Sequence, residues 1–166
     1  WTFASLFFSI IILEVIFMFL PVAQIFKKNI VTKNNQILKY EPNTSIKYSL
    51  GKDFYKVVKK TSNNYGFVSD IDYKKNSKPL SVIIGDSYVE ALQVSNQNAI
   101  GDYINNKIIS KNVYSLGISG APLSQYLIYT KFSKNEFQPK SYTFVIVGND
   151  FDESLCSVRP YNGFHC

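Results

Sequence analysis

Leu80-Ser-Val-Ile-Ile-Gly-Asp-Ser-Tyr-Val-Glu-Ala-Leu92 is the stretch of sequence that decides the fold. The β-branched run at 82–84 is typical of a strand that is covered on both faces in a parallel sheet. Gly85 then permits a sharp turn, which places Ser87 at the carboxyl end of the strand, near the start of a helix. Ligands bind at this edge of α/β sheets, and helix N–H groups there stabilise negative charge. Ser87 is therefore a candidate nucleophile, while the alternative is that Asp86 and Ser87 merely cap the helix.

The sequence that follows repeats this pattern of a buried strand ending in a polar turn that contains glycine. We predict further strands at 113–116 and 142–147, helices at 98–109 and 123–132, and a short helical stretch at 88–94. Strands that alternate with helices in this way indicate the α/β class with a parallel sheet, arranged as a three-layer αβα sandwich of the flavodoxin-like type. Right-handed crossovers would place all three turns on one edge of the sheet.

Residues 1–26 are almost entirely apolar, with Trp1 at one end and a lysine pair directly after the other. This length suits a helix that crosses a bilayer, so we predict a transmembrane helix here. A cleaved signal sequence is the alternative, but its apolar core usually spans roughly 7 to 15 residues and ends in a small-x-small cleavage site, which is missing before Lys27. Glu14 inside the segment would then face another helix, or the segment would pack in a larger membrane part that is absent here.

Residues 27–78 are predicted as a linker with short β-prone segments, and residues 79–166 as the α/β domain. Alternating polar and apolar residues at 45–50 favour a half-exposed strand on the flank of that domain. Because the chain begins at Trp1 and ends at Cys166 in mid-pattern, we expect a fragment whose α/β domain is truncated at its C-terminus.

The charges beside the apolar segment do not decide on which side of the membrane the following domain lies. The lysines that follow the apolar segment favour a cytoplasmic domain, but residues before Trp1 could carry more charge. Cys156 and Cys166 could pair in a disulfide only outside the cytoplasm. Our expectation is a membrane protein whose catalytic domain is extracytoplasmic.

Composition argues against several other functions. The net charge of +6 comes almost wholly from scattered lysines, with Arg159 as the only arginine, whereas nucleic-acid binding predicts clustered Arg and Lys. A solvated face or attraction to anionic lipid explains the lysines better. Two cysteines and one nearby histidine do not form a zinc ligand set. We therefore expect no nucleic-acid partner, no metal and no cofactor.

Three polar turns on one edge of a sheet form a candidate site that contains Ser87, Gly120 and Asn149. Acyl transfer needs a nucleophile, donors for the oxyanion and a base. Ser87 would attack an ester carbonyl. The donors would be the backbone N–H groups of Ser87 and Gly120 and the side-chain amide of Asn149. Gly120 suits this role because no side chain blocks the approach of a substrate oxygen.

The motifs Gly85-Asp-Ser87, Ile118-Ser-Gly120 and Val147-Gly-Asn-Asp150, in this order, resemble those of the SGNH hydrolases, a superfamily also known as GDSL esterases, lipases and acetyltransferases. The resemblance covers residues 63–150, and its lead-in is similar to that of membrane-anchored members. It implies an SGNH-hydrolase-like sandwich and an esterase or acyltransferase activity.

By this resemblance, Ser87 matches the nucleophile that also supplies an oxyanion amide, Gly120 matches the second donor and Asn149 the third. Gly117 is the competing match for the glycine, and Gly120 is preferred because Ile-Ser-Gly fits the motif better. Asp86 is expected to cap its helix, and Asp150 to brace its loop.

One motif of the family has no counterpart here. An Asp-x-x-His near the C-terminus supplies the orienting acid and the general base in that family, whereas the only histidine of this chain, His165, has Asn162 three residues before it. A serine hydroxyl without a base is a poor nucleophile. Either the base lies beyond Cys166, or the chain is inactive.

The leading hypothesis is a membrane-anchored serine esterase or O-acyl(acetyl)transferase that works through an acyl-enzyme. Its substrate would be an ester or O-acyl group, and the anchor and basic surface suit a cell-envelope polysaccharide. The motifs do not separate hydrolase from transferase, because the same acyl-enzyme passes its acyl group to water or to a sugar hydroxyl. The alternative is a non-catalytic, membrane-tethered binding module that retains the scaffold.

Overall fold

The computed structural model of the protein describes residues 2–20, 22–51, 53–108 and 112–155. Within these ranges lie five helices and five strands. They are α1 (Thr2–Phe19), β1 (Ser45–Leu50), β2 (Lys56–Thr61), β3 (Ser81–Gly85), α2 (Ser87–Glu90), α3 (Ile100–Lys107), β4 (Val113–Gly117), α4 (Leu123–Glu136), β5 (Tyr142–Phe144) and α5 (Gly148–Glu153). A short 3-10 turn at Asn96–Asn98 precedes α3.

Strands β3, β4 and β5 form a parallel sheet in the order β4-β3-β5. The chain runs from the central strand β3 to β4 on one side and then returns to β5 on the other. The strand order thus reverses at the carboxyl end of β3, which is where open α/β sheets bind ligands. The predicted α/β class and parallel sheet are confirmed.

Central strand β3 is buried on both of its faces. Val82 and Ile84 point into the main hydrophobic cluster, which includes Tyr129 of α4. Ile83 points to the opposite face, where Ile104 of α3 packs against a smaller cluster. The β-branched run at 82–84 predicted a strand covered on both faces. This prediction is confirmed, because helices cover the strand on either side.

Two elements differ from the sequence prediction near the end of the described chain. The strand predicted at 142–147 is regular only over Tyr142–Phe144, and α5 follows without having been predicted. Val145 still donates its N–H to the carbonyl of Ile84, at 2.9 Å, but the N–H of Val147 donates to the Asp150 carboxylate, at 2.8 Å. This side-chain acceptor takes the backbone out of the ladder and starts the helix.

The segment 27–78, predicted as a linker, contributes to the main core. Antiparallel strands β1 and β2 form a hairpin, and the strand predicted at 45–50 is confirmed as β1. Leu38, Tyr40, Phe67 and Tyr73 all belong to the same buried cluster as the central strand. These residues form no long apolar run in the sequence, so their burial depends on contacts with distant parts of the chain.

Helix α1 is 18 residues long, has a mean hydropathy of 2.3 and contains no buried residue. Its length of about 27 Å is close to the thickness of the apolar part of a bilayer. The helix is thus long and apolar enough to cross a membrane. Its neighbours Trp1 and Pro21 lie outside the described residues.

Strand β2 carries a buried lysine. The side chain of Lys60 is fully buried, and its Nζ has no hydrogen-bond partner within the described ranges. Burial lowers the pKa of Lys60 to about 8, against the opposing influence of nearby carboxylates, of which Asp102 is the strongest. A charged amine in this position therefore destabilises the folded state at neutral pH.

We expect Lys60→Met to raise the free energy of unfolding at pH 7 by about 1 kcal/mol or more, because a buried cation is replaced by an apolar chain of similar length. In the unmodified protein, the unfolded state binds more protons than the folded state between the folded pKa of about 8 and the ordinary value of 10.5, so stability rises with pH across this interval. The variant should lose that rise.

Urea unfolding in detergent at pH 7 and pH 9 measures both effects of the Lys60 substitution. Lys59→Met is the matched control, since Lys59 is the exposed neighbour on the same strand. The Lys59 variant should keep the rise in stability between the two pH values. A Lys60→Met protein that behaves like the control would contradict the conclusion that the buried charge of Lys60 destabilises the folded state.

Candidate functional site

The three predicted turns leave the same edge of the sheet from adjacent strands. Gly85, the last residue of β3, lies opposite Gly117, the last residue of β4, and Ile84 lies opposite Phe144 of β5. The three strands therefore end at the same level. The turn with Gly120 follows the strand on one side of β3, and the turn with Asn149 follows the strand on the other side.

Asp86, and not Ser87, caps helix α2. The Asp86 side chain is buried, and its carboxylate accepts the N–H of Tyr88 at 3.0 Å and the hydroxyl of Ser87 at 3.2 Å. The predicted capping role of Asp86 is confirmed. Ser87 is the first residue of the helix and is only partly buried. The serine hydroxyl thus remains accessible while its neighbour performs the capping.

A cavity of about 430 Å³ opens beside the serine. It is lined by Ser87, Tyr88, Ala91, Gln93 and Val94. This volume lies within the range of small-molecule sites. Gly120 and Asn149 are not among its lining residues, so the structure places the serine in the cavity and the two other predicted residues at the same sheet edge outside it.

The two competing glycines have different structural roles. A Cβ on Gly117 would lie 2.7 Å from Val89 Cβ and 2.8 Å from the backbone nitrogen of Glu90, so Gly117 allows α2 to pack closely on β4. Gly120 has a φ of +75°, and an added Cβ there would meet no atom within 4 Å. Gly120 is therefore the glycine that is open to a ligand.

All three predicted oxyanion donors are unpartnered within the described part of the chain. The backbone N–H groups of Ser87 and Gly120 donate to no acceptor there, and neither does the exposed side-chain amide of Asn149. An unpaired N–H is costly unless water or a ligand satisfies it. These donors are thus available to a negatively charged oxygen at this edge of the sheet.

Asp150 holds the first turn of α5, which carries Asn149. Its buried carboxylate accepts the hydroxyl of Tyr126 at 2.9 Å and the N–H of Val147 at 2.8 Å. Burial, together with this hydrogen bond to the carboxylate, raises the pKa of Tyr126 well above its ordinary value, so the phenol stays a donor. The prediction that Asp150 braces its loop is confirmed by these contacts.

Glu90 is a site residue that sequence reasoning missed. Its buried carboxylate accepts the N–H of Ser119 at 2.8 Å and hydrogen-bonds with the hydroxyls of Ser119 and Tyr40. Burial raises the pKa of Glu90, and these hydrogen bonds oppose the shift. The available signal was its position one helical turn after Ser87, but a glutamate in a short helix is usually solvated.

No histidine that could act as the general base for Ser87 lies among the described residues. His165, Cys156 and Cys166 lie outside the described residues. Asp86 is the carboxylate that the Ser87 hydroxyl contacts, and it is already engaged as a cap. Within the described ranges, no group of three or more His, Cys, Asp or Glu side chains could hold a metal ion.

Comparison of the chain with protein-family models, with curated proteins and with solved structures found no match. The fold and site define an α/β protein with a parallel sheet, an N-terminal apolar helix and a serine at the carboxyl end of the central strand.

Proposed function

We propose that this chain is a membrane-anchored serine esterase or O-acyltransferase of the SGNH type. Ser87 is the nucleophile, and the N–H groups of Ser87 and Gly120 and the amide of Asn149 are the oxyanion donors. One observation carries the proposal. Three unpartnered donors, one of them on Ser87 itself, follow three adjacent strands at the point where the strand order reverses.

The reaction follows from the chemistry of these groups. The Oγ of Ser87 attacks the ester carbonyl carbon while its proton passes to a general base, and the carbonyl oxygen becomes an oxyanion that the three donors stabilise. Collapse of this intermediate breaks the bond to the alcohol, which leaves with a proton, and an acyl-serine remains. Water or a sugar hydroxyl then takes the acyl group. We assign the general base to no described residue.

The anchor narrows the substrate class. A volume of about 430 Å³ accommodates a short acyl group such as acetyl. The segment from the end of α1 at Phe19 to Lys28, whose side chain reaches the Gly120 turn, spans at most about 30 Å when fully extended. The site therefore stays close to the membrane, and an O-acylated envelope polysaccharide near that surface is the substrate that we favour.

Labelling with a fluorophosphonate tests the nucleophile. We expect the intact protein in detergent to gain the mass of one phosphonyl group on Ser87, because Oγ of an activated serine held near oxyanion donors displaces fluoride from the probe and forms a phosphonyl ester. Ser87→Ala should abolish the label. Ser45→Ala is the control, since Ser45 is an exposed serine on β1, and this variant should react like the unmodified protein.

A non-catalytic binding module is the second candidate, and the lack of a base among the described residues favours it. A module of this kind would keep the fold but leave Ser87 unlabelled. Failure of the intact, folded protein to react with the fluorophosphonate would therefore support the binding module over the enzyme.

A further inference from the structure

We infer that Lys28 and Glu90 are positioning residues, which hold the Ser119–Gly120 peptide so that the Gly120 N–H is presented as an oxyanion donor. The catalytic consequence rests on the proposed function, whereas the orientation of the peptide can be tested without it. Neither residue belongs to the three turns from which the site was predicted.

The turn that carries Gly120 has two alternative forms. The N–H of Ala121 donates to the carbonyl of Ile118 at 3.0 Å, so residues 118–121 form a β-turn, and the positive φ of Gly120 at its third position makes the turn type II. Type I and type II turns differ by a flip of the central peptide, here the one that joins Ser119 to Gly120. The flip reverses the direction of the Gly120 N–H.

Lys28 fixes the direction of this peptide from its carbonyl side. Its Nζ donates to the carbonyl oxygen of Ser119 at 2.6 Å. The described chain contains no cis peptide bond, and in a planar trans peptide the N–H points away from the C=O. Holding the Ser119 oxygen therefore directs the Gly120 N–H to the opposite side. A cation on the carbonyl also polarises the peptide and makes the N–H a stronger donor.

Glu90 holds the other end of the same residue. Its carboxylate accepts both the N–H and the hydroxyl of Ser119, and Tyr40 binds the second carboxylate oxygen. Because Glu90 is the last residue of the helix that begins with Ser87, this contact ties the Gly120 turn to the nucleophile. Lys28 and Tyr40 themselves face each other across an isolated antiparallel bridge, so this one pairing places both Lys28 and the Tyr40 that binds Glu90.

Lys28 belongs to the segment that follows the apolar helix. Gln24 donates its backbone N–H to the carbonyl of Lys47 on β1, at 2.8 Å, and Phe26 is buried in the main core. These contacts fix the path of the chain between Gln24 and Lys28. The segment next to the membrane helix thus completes the candidate site instead of merely tethering it.

Selective labelling with [15N]glycine tests, independently of catalysis, whether Lys28 and Glu90 act on the Gly120 amide. The chain has 8 glycines, so the spectrum is simple, and the loss of one signal in Gly120→Ala assigns the Gly120 amide. We expect Lys28→Met to shift this signal, because the peptide loses its hydrogen bond, and Glu90→Gln to shift it too. Lys28→Arg should restore the position of the unmodified protein.

Lys27→Met is the matched control, since Lys27 is the adjacent lysine and pairs with Glu41 at the surface, at 2.9 Å. It removes the same charge and should leave the Gly120 signal in place. A Gly120 signal that does not move in Lys28→Met, or that moves equally in Lys27→Met, overturns the inference, whether or not the protein hydrolyses esters.

Kinetics test the catalytic consequence. We expect Lys28→Met to lower kcat for a short-chain aryl ester by about tenfold or more with KM unchanged within about twofold, since an oxyanion donor acts mainly in the transition state. Lys28→Arg should recover most of kcat, and Lys27→Met should match the unmodified protein. A moved Gly120 signal with unchanged kcat would overturn the catalytic role of Lys28. Absence of hydrolysis in the unmodified protein would instead count against the proposed function.

Discussion

Ser87→Ala is expected to lower the rate of short-chain aryl ester hydrolysis by the intact protein about 10³-fold or more. Alanine has no oxygen that could attack the carbonyl carbon, so no acyl-enzyme forms and only the stabilisation by the oxyanion donors remains. The measurement is kcat/KM in detergent, with the release of the aryl alcohol followed by absorbance.

The fold should survive the removal of the Ser87 hydroxyl. The hydroxyl contacts the Asp86 carboxylate at 3.2 Å, but the capping bond from the N–H of Tyr88 does not depend on it. We therefore expect the urea midpoint of Ser87→Ala to lie close to that of the unmodified protein. A variant that retains the full rate of hydrolysis would show that Ser87 is not the nucleophile.

Gly66→Ala is expected to destabilise the folded state by about 3 kcal/mol or more, which is among the largest effects of a single methyl group. Gly66 has a φ of +85°, and an added Cβ would lie 2.2 Å from the carbonyl oxygen of Tyr40. That contact involves backbone on both sides, and Tyr40 is held by its hydrogen bond from N–H to the carbonyl of Gly66, at 2.9 Å. Neither backbone segment can move aside without losing this hydrogen bond.

Urea unfolding followed by far-ultraviolet circular dichroism measures the effect of the Gly66 substitution. Gly148→Ala is the matched control, because an added Cβ at Gly148 would meet no atom within 4 Å. We expect the control to change stability by less than about 0.5 kcal/mol. If Gly66→Ala unfolded at the same urea concentration as Gly148→Ala, the close approach of these two backbone segments would be refuted.

The Gly66 variant also reports on the site. Tyr40 binds the carboxylate of Glu90, which in turn holds Ser119. Displacement of Tyr40 should therefore disturb the Gly120 turn as well as the core. This connection runs from a loop of segment 27–78 to the edge of the parallel sheet, and no sequence pattern predicts it.

Local patterns predicted the parts of the molecule that depend on neighbouring residues. The run at 82–84 predicted a doubly covered strand, because both faces of that strand are buried by helices that the same chain segment supplies. Asp86 was predicted as a cap, and Asp150 as a brace, because each acts within its own turn. Thr2–Phe19 stood out because a long and almost entirely apolar segment needs no partner to be recognised.

Contacts between distant residues escaped prediction for a common physical reason. Tyr40, Lys28 and Glu90 are ordinary amphipathic or charged side chains whose partners lie far away along the chain, and nothing in the local sequence separates a buried glutamate from a solvated one. The buried amine of Lys60 belongs to the same group, since its burial results from packing of the hairpin.

The sequence by itself determined the α/β class, the apolar helix at the N-terminus and the order of the three turns that bear Ser87, Gly120 and Asn149. These features follow from periodicity and from turn residues, which act over a few positions. Only the tertiary structure decided that 27–78 packs into the core, that Gly120 and not Gly117 is open, and that Lys28 and Glu90 hold Ser119 from its carbonyl and its N–H side. The direction of a peptide N–H depends on which groups approach its two faces, and those groups come from parts of the chain that only folding brings together.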